Sequence, residues 1–140
     1  MPSNIGLTHV LKSNGLSLTT ARITVYDVLS QSEPLTMAEL VRRCVPSIDR
    51  ASVYRTVTLY EKLGVTQRLQ IGWKYKIELS NAFQEHHHHL SCMTCGAVVV
   101  LAENIELERF MTRIVRPYNY QDLDHQLEIK GMCPECQQKV

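Results

Sequence analysis

The chain has 140 residues, 44% hydrophobic and 21% charged, with a formal net charge of +1, values that suit a soluble protein of one domain or two small ones and exclude a disordered chain. No run of about 18 apolar residues is present to cross a bilayer, and Met1-Pro2-Ser3-Asn4 lacks a basic region followed by an apolar core, so a cytoplasmic protein with no membrane partner is expected. The near-neutral total hides an asymmetry: residues 1–80 carry ten Lys/Arg against six Asp/Glu, whereas residues 81–140 carry five against eight.

Taken in order, Leu7, Val10 and Leu11 predict a short first helix that stops before Asn14-Gly15. Thr19 or Thr20 can cap a second helix bearing Ile23, Val25, Tyr26, Val28 and Leu29, and Ser32-Glu33-Pro34 breaks it. A third helix opens with Thr36-Met37-Ala38-Glu39, a capping box in which hydroxyl and carboxylate each take an orphan backbone N–H; Pro46 marks its end. Cys44 falls at helical spacing with Met37, Leu40 and Val41 and reads as a buried core residue. Ser47 or Asp49 caps a fourth helix, with Val53, Val57, Tyr60 and Leu63 on one side and Gly64 as its stop.

The early exposed positions of that fourth helix are Arg50, Ser52, Tyr54 and Arg55. Two alternating strands follow, Val65, Leu69 and Ile71 in the first and Trp73, Tyr75, Ile77 and Leu79 in the second, joined near Gly72, with Lys74 and Lys76 on the opposite face of the second. Short helices followed by a basic hairpin make the winged helix-turn-helix plan. A helix laid in the major groove sets its first turns against base edges while a basic hairpin grips phosphate, so these six polar side chains are the expected contacts to double-stranded DNA. A small helical domain with a solvated charged helix is the plainer alternative.

Residues 81–85 read as a hinge between a domain over 1–80 and another over 86–140. The second domain opens with His86-His87-His88-His89-Leu90-Ser91-Cys92-Met93-Thr94-Cys95, six metal-capable side chains in ten residues. In an extended strand His86 and His88 share one face and His87 and His89 the other, so one strand can feed two metal sites. Cys92 and Cys95 recur as Cys133 and Cys136, and two such pairs can close a tetrahedral thiolate site for zinc. The gap of about 37 residues between the pairs exceeds that of a compact ribbon, so the metal must staple a whole subdomain.

Ala97 to Leu101 reads as a strand. Asn104 can cap a helix with an apolar face of Leu107, Phe110, Met111, Ile114 and Val115, closed by Pro117. A last strand is expected over Tyr120 to Lys130, with Leu123, His125, Leu127 and Ile129 on one face and Asp122, Asp124, Gln126 and Glu128 on the other. His125 so placed suits a core histidine or, beside His86, His88 and Glu106, a metal ligand. No His-x-Glu accompanies the cysteine pairs, so a zinc hydrolase or deaminase is not expected and the chain is read as no enzyme.

The Ser52-Val53-Tyr54-Arg55 helix, the histidine strand running into Cys92-x-x-Cys95-Gly96, the inward His125 and the closing Cys133-x-x-Cys136 together resemble the ferric uptake regulator family over essentially the whole chain. The resemblance implies an α+β chain, an N-terminal winged helix followed by a small α/β dimerisation domain. It implies a homodimeric, metal-activated repressor that binds a palindromic operator and controls metal homeostasis. Cys92, Cys95, Cys133 and Cys136 become a structural zinc site, and His86, His88, Glu106 and His125 a second site. Glu78, His87 and His89 become part of a third, interdomain regulatory site. The regulatory divalent ion is then iron or zinc. Pro34 and Val100 stand where sensors of the family usually carry a histidine and an acidic residue. The alternative function is a thiol- or peroxide-responsive regulator in which the cysteine site is the redox switch.

Overall fold

The structure, a computed structural model, describes residues 4–121 and 124–140 and divides into two compact units, residues 1–85 and 86–140. In the first, α1 (Ile5–Ser13), α2 (Thr20–Ser30), α3 (Met37–Cys44) and α4 (Arg50–Leu63) precede an antiparallel hairpin of β1 (Thr66–Ile71) and β2 (Lys74–Leu79). The helix boundaries follow local chemistry. Thr19 caps α2 by accepting from the Arg22 N–H, Thr36 and Glu39 form the reciprocal capping box of α3, and the Asp49 carboxylate accepts from the Ser52 N–H at the start of α4. Gly64 ends α4 at φ 74°, a left-handed conformation that a side chain would strain.

These helices close one apolar core that includes Leu7, Leu11, Val25, Tyr26, Leu40, Cys44, Val53, Val57, Tyr60, Val65 and Ile77. Tyr60 spans it and donates its hydroxyl to the Arg22 carbonyl at 2.6 Å, and burial is the main influence holding its phenol pKa above the ordinary value. Leu35 exchanges both backbone hydrogen bonds with Ile77, which ties the α2–α3 turn to the hairpin as a third, one-residue strand. Phe83 belongs to this unit too, since its ring packs edge-on to Tyr26 at 6.2 Å. The segment 81–85, expected as a plain polar hinge, therefore carries a packed aromatic residue. Trp73 departs from expectation as well: it lies in the hairpin turn, 86% exposed, rather than in line with Tyr75, Ile77 and Leu79.

The second unit is built on β3 (His88–Cys92), flanked by antiparallel β4 (Val98–Leu101) and parallel β5 (Glu128–Gly131), with α5 (Ile105–Val115), a 3₁₀ turn over Arg116–Tyr118 and α6 (Pro134–Gln138). Asn104 caps α5 by accepting from the Leu107 N–H. The long last strand expected over Tyr120 to Lys130 is reduced to four residues, and residues 124–127 run outside any strand. Asp122 and Leu123, assigned to its two faces, lie outside the described residues. Among the described residues no aliphatic or aromatic side chain of this unit is buried; what it buries is His88, His89, Ser91, Cys92 and Cys136.

The first unit should answer to ordinary core and cap substitutions. Leu40→Ala is expected to cost about 2–5 kcal/mol and Thr36→Ala about 1 kcal/mol, read from urea unfolding followed by the helix-dominated circular dichroism. Equal midpoints for the two variants would contradict this account of the core.

Candidate metal centres and nucleic-acid face

The four cysteine sulfurs lie within 4.8 Å of one another. Cys92 ends β3, Cys95 sits in the turn that follows, Cys133 precedes α6 and Cys136 lies inside it. The parallel pairing of β3 with β5, ending at Cys92↔Gly131, brings the two distant pairs together. Cys95 Sγ and Cys133 Sγ are 3.8 Å apart, which matches the edge of about 3.8 Å that Zn–S bonds of about 2.3 Å give a tetrahedron. The Cys133 N–H points at Cys92 Sγ at 3.4 Å, and this donor, followed by that of Cys95, holds the Cys92 thiol down to about 5. Cys136 is pushed up to about 12, foremost by its hydrogen bond with Cys133 and then by burial. Four such sulfurs repel one another as thiolates, and a central dication removes that conflict.

His86, His88, His125 and Glu108 form a second ligand group within the same 4.8 Å limit. His86 Nε2 and His125 Nε2 are 3.1 Å apart, while Glu108 lies 2.7 Å from His88 Nε2, 3.2 Å from His86 Nε2 and 2.8 Å from His125 Nε2. Burial acts to raise the Glu108 carboxyl, but the His88 hydrogen bond and the charges of His125 and His86 outweigh it and hold the pKa below its ordinary value. These separations match the ligand edges of an ion with bonds of about 2.1 Å, roughly 3.0 Å in an octahedron and 3.4 Å in a tetrahedron. The His88 Nδ1 atom is buried with no hydrogen-bond partner, a cost that a metal bond at Nε2 would offset.

The carboxylate in this group is Glu108, not the expected Glu106. At about 100° per residue, the inward face of α5 centred on Leu107, Met111 and Val115 lies roughly 60° from position 108 and roughly 140° from position 106. Glu106 is accordingly exposed, in an open groove with Arg109, Arg113 and Arg116 that the half-buried Glu108 also borders. About the apolar face expected from sequence, which also held Phe110 and Ile114, positions 106 and 108 are nearly equivalent; the exposure of Phe110 and Ile114 is what separates them. His125 reaches the group from the irregular segment 124–127, not from a strand.

The other two histidines of the run also converge: His87, just before β3, and His89 within it have their Nε2 atoms 3.1 Å apart. The residue opposite His89 in the antiparallel register is Val100, which offers no ligand atom. Glu78 is buried on β2 of the first unit, where its carboxylate accepts from Gln67 Nε2 at 2.8 Å.

The candidate nucleic-acid face belongs wholly to the first unit. Arg50 lies over the half-exposed Tyr54 ring at 5.7 Å, and Arg55 donates to Ser52 Oγ at 3.3 Å. The Asp49 carboxyl is held below its ordinary value, chiefly by the Ser52 hydroxyl, so the cap and the first turn of α4 form one network. Arg22 and Thr19 border the same groove as Ser52, Arg55 and Thr56, and Arg22 is a cation that reading by motif left out. Lys74 is exposed and Lys76 half-buried on β2.

Set beside known proteins, residues 13–130 match a sequence profile described as the Ferric uptake regulator family. The Ferric uptake regulation protein of Legionella pneumophila is 35% identical over 133 residues, covering 91% of this chain and 96% of that protein. Among solved structures, the Helicobacter pylori ferric uptake regulator, reported with three functional metal binding sites, aligns with a TM-score of 0.74 and 29% identity over 94% of this chain and 89% of its own. A zinc-bound manganese uptake regulator aligns with a TM-score of 0.65 and 30% identity over 91% of this chain and 98% of its own.

Replacing Glu108 with Gln is expected to weaken divalent-ion binding by roughly 10–100-fold or more, and Glu106→Gln to leave it nearly unchanged, as read by competition with a chromogenic chelator. Equal losses would return the ligand role to Glu106.

Proposed function

The chain belongs to the ferric uptake regulator family, and on that premise we propose that it is a metal-responsive transcriptional repressor that binds a two-fold related operator as a metal-loaded homodimer. It acts in the cytoplasm on metal homeostasis, and it performs no catalysis. Zinc held by Cys92, Cys95, Cys133 and Cys136 is structural, because a closed four-thiolate shell leaves no open coordination position. The regulatory ion is iron or zinc, and mixed imidazole and carboxylate ligands suit both.

The observation that carries this reading is the pair of imidazole groups drawn from four successive histidines at the entry to β3, the strand that ends in the thiolate site. His86, His88, His125 and Glu108 brace the second unit and, through it, the dimer. His87 and His89 supply the regulatory ligands. The dimer reading is supported by apolar side chains that the second unit leaves in solvent: Leu90 pairs in register with Val99 and Ile129, and all three are exposed, as are Phe110 and Ile114 on α5. A second copy supplies the cover that one copy lacks. Arg50, Ser52, Tyr54 and Arg55 are offered to base edges and Lys74 and Lys76 to phosphate.

Replacing His87 and His89 together by Ala should abolish metal-stimulated DNA binding, a loss of roughly 5–150-fold for a coupling of about 1–3 kcal/mol, while a zinc-containing dimer persists. The pair His86→Ala and His125→Ala should instead loosen the dimer. Duplex binding measured at fixed free-metal levels, with sedimentation of each variant, decides this; exchanged effects would move sensing to the group built on Glu108. Cys133→Ser should release the zinc and unfold the second unit. Retention of zinc and of dimer through peroxide treatment would separate this function from the thiol-switch alternative.

A further inference from the structure

The hairpin of the first unit holds an unexplained aromatic residue. Gly72 takes φ 60° as the first residue of a two-residue turn between Ile71 and Lys74, a position that favours glycine in hairpins of this length. That turn puts Trp73, the chain's sole tryptophan, at the tip with 86% of its surface exposed. Gln70 braces the turn by donating to the Gly72 carbonyl at 2.9 Å. The Lys74 ammonium lies 4.9 Å from the centre of the Trp73 ring, and further along the hairpin Arg68, ion-paired to Glu61 at 2.7 Å, lies 4.2 Å from the ring of Tyr75. Between Glu61 and Glu78 the sequence has no acidic residue, while Lys62, Arg68, Lys74 and Lys76 are all basic.

An apolar ring held in water by a rigid turn, inside a cationic patch with no carboxylate at its tip, fits a polyanion that also offers flat apolar surface. Duplex DNA does so in its minor groove, about 6 Å wide and walled by sugars and phosphates. We infer that Trp73 is a DNA-contacting residue, its ring packing against the sugars and base edges of the minor groove beside the site that α4 reads, with Lys74 on the flanking phosphate. This rests on the DNA-binding function proposed above and adds to it a contact that reads groove width and A·T content rather than base identity.

The test uses the full-length, metal-loaded chain and a duplex it selects from a randomised pool. Acrylamide quenching of the single tryptophan should fall when the duplex is added. Trp73→Ala should weaken binding roughly 5- to 20-fold with its salt dependence unchanged, Trp73→Phe should recover most of the loss, and Lys74→Ala should flatten the salt dependence. A duplex that binds while quenching and the affinity of the Trp73→Ala variant stay as they were would overturn the inference and leave the regulator reading intact. Shielding of Trp73 already complete without DNA would assign the tip to a protein contact and overturn it too. A chain that selects no duplex at all would overturn the reading on which the inference stands.

Discussion

The second unit depends on ligand convergence. Its buried side chains, among the described residues, are two imidazoles, two thiols and a serine, groups that gain little from leaving water and that carry charge or polarity into a confined space. A unit of this size is marginal on apolar burial even with a good core. On the function proposed above, bonds from a dication to four sulfurs, and to three imidazoles and a carboxylate, replace the missing core, and they do so only when the chain is folded so that residues far apart in sequence meet. On that reading metal binding and folding of this unit are one equilibrium.

The same constraint accounts for the surface of that unit. Apolar side chains that would ordinarily fill an interior are displaced outward, onto the sheet around Leu90 and along α5 at Phe110 and Ile114. Burying them against a copy recovers the hydrophobic stabilisation that the single chain forgoes. Dimerisation and ligation then compensate for the same deficiency from two sides.

The first unit is organised the opposite way. Its core closes on Val25, Tyr26, Leu40, Val53 and Tyr60, and its helices are capped by their own side chains, so no ion is needed to hold it. Stability supplied internally leaves the α4 N-terminus and the hairpin tip free to expose arginine, lysine and aromatic groups in fixed positions. Tyr54 under Arg50 and Trp73 under Lys74 are rings already paired with cations, which lowers the conformational entropy lost when such side chains meet a partner.

What the sequence by itself determined was whatever chemistry acts within a few residues. The Thr36–Glu39 box, the Asp49 cap and the Gly64 stop are contacts across three residues or single backbone conformations, and each formed where its residues stand. The alternation of His86 and His88 against His87 and His89 likewise separated two ligand groups within one run of four residues, although β3 itself begins only at His88. Paired Cys-x-x-Cys spacing named the donors of the thiolate site because no other cluster of cysteines was available to complete it. Tertiary structure alone decided among residues that locality leaves equivalent. Glu108 displaced Glu106 because the partial burial of one helix face, centred on Leu107, Met111 and Val115, chose which carboxylate looks inward. His125 arrived from an irregular segment, since ligation fixes where a side-chain nitrogen ends and not the backbone that carries it. Phe83 left the expected hinge for the core beside Tyr26, and Trp73 left the expected strand for the turn, because hairpin register is settled by pairing with β1 and by Gly72 rather than by the hydrophobicity of the ring.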